Sequence, residues 1–217
     1  MPQYSIFIQV FRRTNYRLKP VIKNNKTLIH FAFDHIINEL NSYLSVKISE
    51  SDRVMANSLL TQDGNLQNGI DDKVLVSLVN TEEERLLREP DVYRKQPDGT
   101  LHIQKPEIRL NLFILFTAYF PSDYNEALKM ISLVITFFQK KNKFTPANTP
   151  DLDPGLKNLT MEMVTLNMEQ QNHLWASLGA KYIPSVLYKM RLVTIAEEEI
   201  DGTGEPITEI HITDKSR

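Results

Sequence analysis

Apolar residues recur along this chain with two different spacings. From 108 to 120 every even position is apolar, whereas the odd positions begin with Arg109 and Asn111 before they too turn apolar. This alternation predicts a β-strand that buries one face along its whole length and the other face in part. From 27 to 45 and from 123 to 140 the apolar residues recur at helical spacing instead, which predicts two amphipathic helices.

The predicted helix at 123–140 is apolar over a wide arc. Asp123 and Glu126 form a capping-box pattern at its start, in which each side chain satisfies a free backbone N–H. We expect the helix to pack on two sides, against its own sheet and against another body such as a neighbouring subunit. Its apolar residues form two neighbouring stripes, one of Tyr124, Leu128, Ile131, Ile135 and Phe138 and one of Met130, Val134 and Phe137.

Several shorter segments complete the predicted secondary structure. Residues 73–80 are apolar on both faces, which is typical of a central strand, and the charged run after them ends it. Asp98-Gly99 indicates a β-hairpin within residues 88–106. A short helix is expected between Asn167, a capping residue, and Gly179, a helix-ending residue. The other expected elements are a long loop at 141–158 and strands at 159–166, 186–196 and 207–212.

The order of these elements predicts one α+β domain, also describable as α/β, in which helices pack on a mixed β-sheet and a β-hairpin extends from it. We place the domain at residues 27–196, preceded by a basic extension at residues 1–26 and followed by a turn and strand at residues 197–217. The chain has no internal repeats, and its 217 residues suffice for a single hydrophobic core.

Charge is distributed unevenly along the chain. The net charge of -2 gives no reason to expect nucleic acid as the main partner. Residues 1–26 carry six basic residues and no acidic one, so the remainder holds 19 basic against 27 acidic residues. This basic segment can dock on the acidic surface of a neighbouring subunit, or it can be a solvated extension.

Composition also bears on the compartment. The chain has no cysteine, which excludes disulfides, thiolate zinc sites and cysteine nucleophiles and fits folding in a reducing cytoplasm. No apolar run reaches the ~18 residues that predict a membrane span. Residues 5–11 are too short for the apolar core of a signal peptide, and Arg12-Arg13 follow where a cleavage site is expected.

The sequence lacks the common enzyme motifs. It has no phosphate-binding loop, no dinucleotide-binding glycine motif and no nucleophile elbow. His30 and Asp34 can share a helix face, but two ligands do not make a metal site. His173 stands beside Trp175, and a packing or polar contact explains this pair better than catalysis.

Two acidic groups have competing explanations. Asp151 and Asp153, with Glu162 in the twelfth position, resemble a calcium-binding loop, but Leu156 stands where that loop requires glycine. The run Glu82–Glu84 can hold paired catalytic carboxylates or form a solvated or interface patch, and its place after a strand favours the patch. We therefore expect no catalytic residue, no metal site and no cofactor.

Six blocks of the sequence follow one another in a specific order. They are DHIINELNSYL at 34–44, DKVLVSLVNTEEERLLRE at 72–89, PEIRLNLFILFTAYF at 106–120, YNEALKMISLVITFFQ at 124–139, FTPANTP at 144–150 and LNMEQQNHLWASLGAKYIPSVLYKMRLVTI at 166–195. In this order and spacing they resemble the tail-terminator, or cap, family of extracellular contractile injection systems, which includes the caps of antifeeding prophages and related virulence cassettes. The resemblance covers residues 27–196 and leaves both flanking segments outside it.

The resemblance implies a fold like that of phage tail terminators and a structural, non-enzymatic function. It implies a six-fold ring that ends polymerisation of the inner tube and sheath and joins the sheath end to the tube. The implied partners are other copies of this chain, the tube protein and the sheath protein, assembled in the bacterial cytoplasm into a particle that can be released. The alternatives are a baseplate or adaptor subunit of the same particle, a small-molecule or hydrolytic enzyme, and a binding module that uses the 141–158 loop.

A ring built by head-to-tail contacts needs two different complementary patches on each subunit. The acidic run after the 73–80 strand and the doubly apolar helix at 123–140 are candidates for these patches. A sheath arm can also add as a strand to a free sheet edge, for which the 207–212 strand is a candidate. The candidate interface residues are therefore Glu82, Glu83, Glu84, Arg85, Met130, Val134, Phe137, Ile207, Ile210 and Ile212.

Overall fold

The computed structural model describes residues 28–84, 92–95, 101–104 and 109–194. Within these ranges the chain forms three helices and eight strands. In chain order they are α1 (Leu28–Ile48), β1 (Val54–Ala56), β2 (Lys73–Glu83), β3 (Val92–Lys95), β4 (Leu101–Gln104), β5 (Arg109–Tyr119), α2 (Tyr124–Lys140), β6 (Lys143–Phe144), β7 (Leu156–Val164), α3 (Met168–Ser177) and β8 (Ser185–Thr194).

A mixed β-sheet forms the centre of the fold, which confirms the predicted α+β class. Its six strands lie in the order β1-β2-β5-β8-β7-β6. β1 pairs with β2 in parallel, and the other neighbouring strands pair antiparallel. β3 and β4 form a separate antiparallel pair, which confirms the hairpin expected around Asp98-Gly99, although the turn itself lies outside the described residues.

β5 is a central strand with a neighbour on each side. β2 pairs with it from Lys73 opposite Tyr119 to Glu83 opposite Leu110, and β8 pairs along its other edge. Because side chains alternate along a strand, Ile114 and Phe116 point to one face of the sheet and Leu115 points to the other. All these side chains are buried, so the strand has apolar packing on both faces where its odd positions turn apolar, as predicted.

The even face of β5 packs against α1 and α2 to form the main core. Three aromatic rings meet at its centre: Phe116 lies 5.4 Å from Phe138 and 5.7 Å from Tyr188, and Phe138 lies 4.7 Å from Tyr188. Aromatic pairs at these distances add about 0.5–1.5 kcal/mol each beyond their buried area. Burial raises the pKa of Tyr188 to about 12, so its phenol stays neutral within this cluster.

The start of α2 is capped by one of the two predicted hydrogen bonds. The Asp123 side chain accepts a hydrogen bond from the backbone N–H of Glu126 at 3.0 Å. The Glu126 carboxylate does not complete the predicted capping box, because it forms an ion pair with Lys129 at 3.0 Å, one turn further along the helix. A nearby lysine on the same helix face competes with the backbone for this carboxylate.

The boundaries of three elements differ from the sequence prediction. α1 continues to Ile48, and β2 continues through the acidic run to Glu83 because it pairs with β5 there. The long loop expected at 141–158 contains the short strand β6, which pairs with β7, and β7 itself begins at Leu156. Short pairings of this kind depend on a distant partner strand and leave little local pattern.

Replacement of Met130 by alanine tests the packing of α2 on the sheet. Met130 is fully buried, so we expect Met130→Ala to lower the free energy of unfolding by about 2–5 kcal/mol through the cavity it leaves. Urea denaturation followed by circular dichroism measures this loss. Leu128→Ala is the control, because Leu128 on the same helix is 44% exposed and should change stability by less than about 1 kcal/mol. Equal losses for the two variants would contradict this orientation of α2.

A second test concerns His35 of α1, which is 8% exposed and packs edge-on against Phe144 with ring centres 5.6 Å apart. Desolvation lowers the pKa of His35 below its ordinary 6.5, although Glu39 and Asp151 raise it and only Lys141 adds to the lowering. Below about pH 6.5 the unfolded chain therefore binds a proton that the folded protein excludes. The free energy of unfolding then decreases as the pH falls, until the pH reaches the lowered pKa of His35 in the folded protein.

We expect this loss of stability in urea titrations as the pH falls from about 7.5, and a shallower loss in His35→Leu. His30→Gln is the control on the same helix, because the His30 side chain is 53% exposed. Identical pH dependence in the wild type and in His35→Leu would show that His35 does not carry the effect.

Candidate interaction surface

The sheet face opposite α1 and α2 is only partly covered. Here the buried side chains Leu115, Trp175 and Leu187 form a second, smaller apolar cluster. Leu59 from the segment after β1 and Leu174 from α3 pack against it. This cluster is smaller than the main core, so this face of the sheet carries less apolar packing.

The ends of α3 fix the position of Trp175 on this face. At the start, Asn167 accepts from the backbone N–H of Gln170 at 2.8 Å, and the Gln170 side chain accepts from the Asn167 N–H at 3.0 Å. At the end, Gly179 has a φ of +70° and its N–H donates to Ala176. Such a reversal suits glycine, which lacks the steric penalty of a Cβ. Both predicted helix signals, Asn167 and Gly179, are confirmed.

Two grooves lie on either side of Trp175. One has a volume of about 280 Å³ and lies between α3 and the ends of β7 and β8, with Leu115, Leu166 and Leu187 among its lining residues. The other has a volume of about 420 Å³ and lies between α3 and residues 58–64, again reaching Leu115. Shallow apolar grooves beside a tryptophan are typical of sites that receive side chains of a protein partner.

Tyr182 is an exposed aromatic residue that lines the first of these grooves, the one between α3 and the ends of β7 and β8. Its ring centre lies 5.8 Å from that of Trp175 in an edge-on arrangement, and the residue is 55% exposed. A tyrosine with an apolar ring and an exposed hydroxyl is favoured at protein interfaces. The sequence offered one signal for this site, the single tryptophan, whose neighbour His173 drew attention only as a packing contact; His173 is exposed on α3.

Charged residues occupy part of the remaining surface on β7 and β8. Glu162 of β7 forms ion pairs with Lys189 at 3.4 Å and with Arg191 at 3.1 Å on β8. These pairs are partly exposed, so each contributes no more than about 1 kcal/mol. Residues 151–162 resembled a calcium-binding loop with Glu162 as its last ligand. In the structure the Glu162 carboxylate instead pairs with these two basic side chains on the sheet.

The predicted acidic patch lies at the far end of β2. Glu82 and Glu83 are exposed on the strand, and Glu84 accepts a hydrogen bond from the Asn111 side chain at 3.3 Å. β1 pairs with β2 only at Val74–Val76, so among the described strands none covers the outer edge of β2 beyond that point. The acidic residues therefore belong to an exposed sheet edge, and their interface role remains a prediction.

The expectation that Met130, Val134 and Phe137 contact a neighbouring subunit was wrong. Met130 and Val134 are fully buried and Phe137 is 5% exposed, because this stripe faces the protein's own core. The exposed apolar positions of α2 belong to the other stripe, where Tyr124 is 63% exposed and Leu128 is 44% exposed. Two neighbouring apolar stripes do not reveal from sequence which one the sheet covers.

The remaining candidate interface residues lie outside the described residues. They are Arg85, Ile207, Ile210 and Ile212, together with the flanking segments 1–26 and 197–217. The division of the chain into an extension, a domain at 27–196 and a terminal segment also stays a prediction.

The described part of the chain offers no cluster that suggests metal chemistry. His30 and Asp34 do meet on α1, with Nε2 and a carboxylate oxygen 3.5 Å apart. Among the residues in the described ranges, no three histidine or acidic side chains converge on a point where a metal ion would be held. Within the same ranges no helix is both long and apolar enough to cross a membrane.

Two solved structures have a similar fold. The sheath/tube terminator of the PVC extracellular contractile injection system, in its extended state, aligns with a TM-score of 0.58 and 17% identity over 88% of this chain and 64% of that one. The tube-terminating cap of the anti-feeding prophage aligns with a TM-score of 0.57 and 17% identity over 87% of this chain and 62% of that one. The chain thus spans less than two thirds of either length, and this identity shows a shared fold alone.

The sequence comparison gives the family. No curated protein matches the chain. The model of the Pvc16 N-terminal domain family matches residues 34–209, which is most of the chain and includes all the blocks that carried the tail-terminator resemblance. The resemblance is thereby confirmed, and the chain belongs to the Pvc16 N-terminal domain family.

Proposed function

We propose that this protein caps the tail of a contractile injection system, where it ends the inner tube and the sheath. The observation that carries the proposal is the family match over residues 34–209, together with a fold shared with a sheath/tube terminator and a tube-terminating cap. The role is structural, with no catalytic step. The protein would be assembled in the bacterial cytoplasm and would leave the cell only as part of the particle.

The cap would be a ring, with six copies as the expected number. Head-to-tail contacts in a ring join two different patches of each subunit. The Trp175 grooves supply one patch, because they are apolar and have room for side chains of a neighbour. The exposed Tyr124 and Leu128 on α2 supply an apolar patch from a different element, and these residues replace the buried Met130 and Val134 in that role.

The outer edge of β2 suits a second kind of contact. From Ser77 to Glu83 this strand has β5 on one side and no described strand on the other. An extended arm of the sheath protein can add there as a further strand through backbone hydrogen bonds. Glu82 and Glu83 at this edge would favour an arm with basic side chains and would discourage pairing between two copies of the same edge.

Removal of the gene tests the cap role in the intact particle. Without a cap nothing stops subunit addition at the distal end, so electron microscopy should show tubes and sheaths that are overlong, ragged or separated from each other. Restoring the gene should return a uniform length. Particles of normal length with an intact distal cap would contradict the proposal and would favour an adaptor or baseplate role in the same machine.

The same measurement of particle length tests whether the face with Trp175 contacts a neighbour. Complementation with Tyr182→Glu should fail to restore uniform lengths, because a carboxylate beside the Trp175 grooves must be desolvated on contact. Val46→Glu is the matched control, since Val46 is 82% exposed on α1, away from these grooves. Both proteins must show the wild-type unfolding midpoint. Full complementation by Tyr182→Glu would exclude the groove that Tyr182 lines from the interface.

A further inference from the structure

An acidic cleft lies on the other side of the molecule, between α1 and the turn at residues 150–154. Its volume is about 600 Å³. The α1 side contributes Phe31 and His35 among others, and Leu152 of the turn closes the opposite wall. The cleft is separate from the Trp175 grooves and plays no part in the proposed cap contacts.

Carboxylates dominate the charge of this cleft. Asp34, Glu39, Asp151 and Asp153 line it, and its lining contains no lysine or arginine. Lys141 approaches from outside and pairs with Glu39 at 2.8 Å, which neutralises one of the four. The cleft therefore keeps an excess of negative charge and favours a cationic occupant.

A buried histidine in the same lining gives an independent sign of an occupant. His35 is 8% exposed, and its Nε2 atom has no hydrogen-bond partner among the described residues. A buried polar atom without a partner is unfavourable, because it has lost its hydrogen bonds to water without replacement. Because burial lowers the pKa of His35, its ring is neutral at pH 7 and has one nitrogen that can accept a hydrogen bond. A donor-rich cation would complement both the histidine and the carboxylates.

The carboxylates do not converge as metal ligands do. In the part of the chain that the structure describes, no three histidine or acidic side chains are grouped to hold a metal ion. The acidic groups instead follow the cleft along α1 and the opposite turn. This arrangement fits several cationic side chains on one extended peptide better than a single ion.

The chain itself contains a peptide of that chemistry next to the cleft. Residues 1–26 carry Arg12, Arg13, Arg17, Lys19, Lys23 and Lys26 and no acidic residue. They lead directly into α1 at Leu28, and Asp34 lies only about 9 Å further along the helix axis at ~1.5 Å per residue. A tethered segment has a high effective concentration at a site so close to its attachment point.

We propose that the acidic cleft between α1 and residues 150–154 binds the basic segment 1–26 of the same chain through its arginine and lysine side chains. The contact is within one copy, so it stands or falls independently of the cap role. It also assigns a function to the charge asymmetry of the sequence, because the acidic body and the basic segment become binding partners.

Trypsin provides the test, because it cuts after arginine and lysine. In the full-length protein we expect cleavage within residues 1–26 to be about five- to tenfold faster in Asp151→Asn/Asp153→Asn than in the wild type, from the loss of two charge contacts. Asparagine at 153 keeps the side-chain oxygen that accepts from the Gly155 N–H at 2.8 Å. Asp63→Asn/Asp71→Asn is the matched control, since it removes two exposed carboxylates outside the cleft.

Mass spectrometry of the early fragments measures these rates, and the unfolding midpoint checks each variant. If the cleft variant does not fold, salt tests the wild type alone: about 0.5 M NaCl should accelerate cleavage of this segment by screening the contacts. Equal rates in wild type and cleft variant, or no acceleration by salt, would overturn the proposal. Protection that disappears on dilution would overturn the assignment to the same chain and place the segment in the cleft of a neighbouring copy.

Discussion

The burial of β5 on both faces is the constraint on which the rest of the structure depends. Ile114 and Phe116 on one side and Leu115 on the other are each almost fully removed from water. At about 25 cal/mol per Å² of apolar surface, a strand of this kind requires a layer of side chains over each face. α1 and α2 provide a complete layer over one face, whereas α3 provides through Trp175 a small layer over the other.

This asymmetry decides where a partner can bind. The helix-covered face is closed by an aromatic cluster around Phe116, and its α2 residues Met130 and Val134 have no surface left for another protein. The opposite face retains two grooves beside Trp175, and the sheet retains an open edge along β2. The fold therefore has one well-packed side, where only outer positions of α2 such as Tyr124 and Leu128 are exposed, and one side with unfilled apolar grooves.

The elements that the sequence predicted correctly are those with a local sequence signal. The alternation at 108–120, the Asn167 and Gly179 ends of α3 and the hairpin around Asp98-Gly99 were all correct, because each signal acts within a few residues. The errors concern choices made by distant contacts. β2 reaches Glu83 because β5 pairs with it there, and Met130 is buried because its stripe of α2 faces the protein's own core. The Trp175 grooves arise where α3, the strands and residues 58–64 meet, so no single segment indicates them.

The proposed cap contacts require the face with Trp175 to become covered when the protein joins a particle. Hydroxyl-radical footprinting of Tyr182 in the free protein and in purified particles measures this coverage directly, since this residue is 55% exposed in the single chain. We predict that Tyr182 reacts readily in the free protein and is protected in the particle, while the 82% exposed Val46 shows no such change. Equal reactivity of Tyr182 in both states would contradict it.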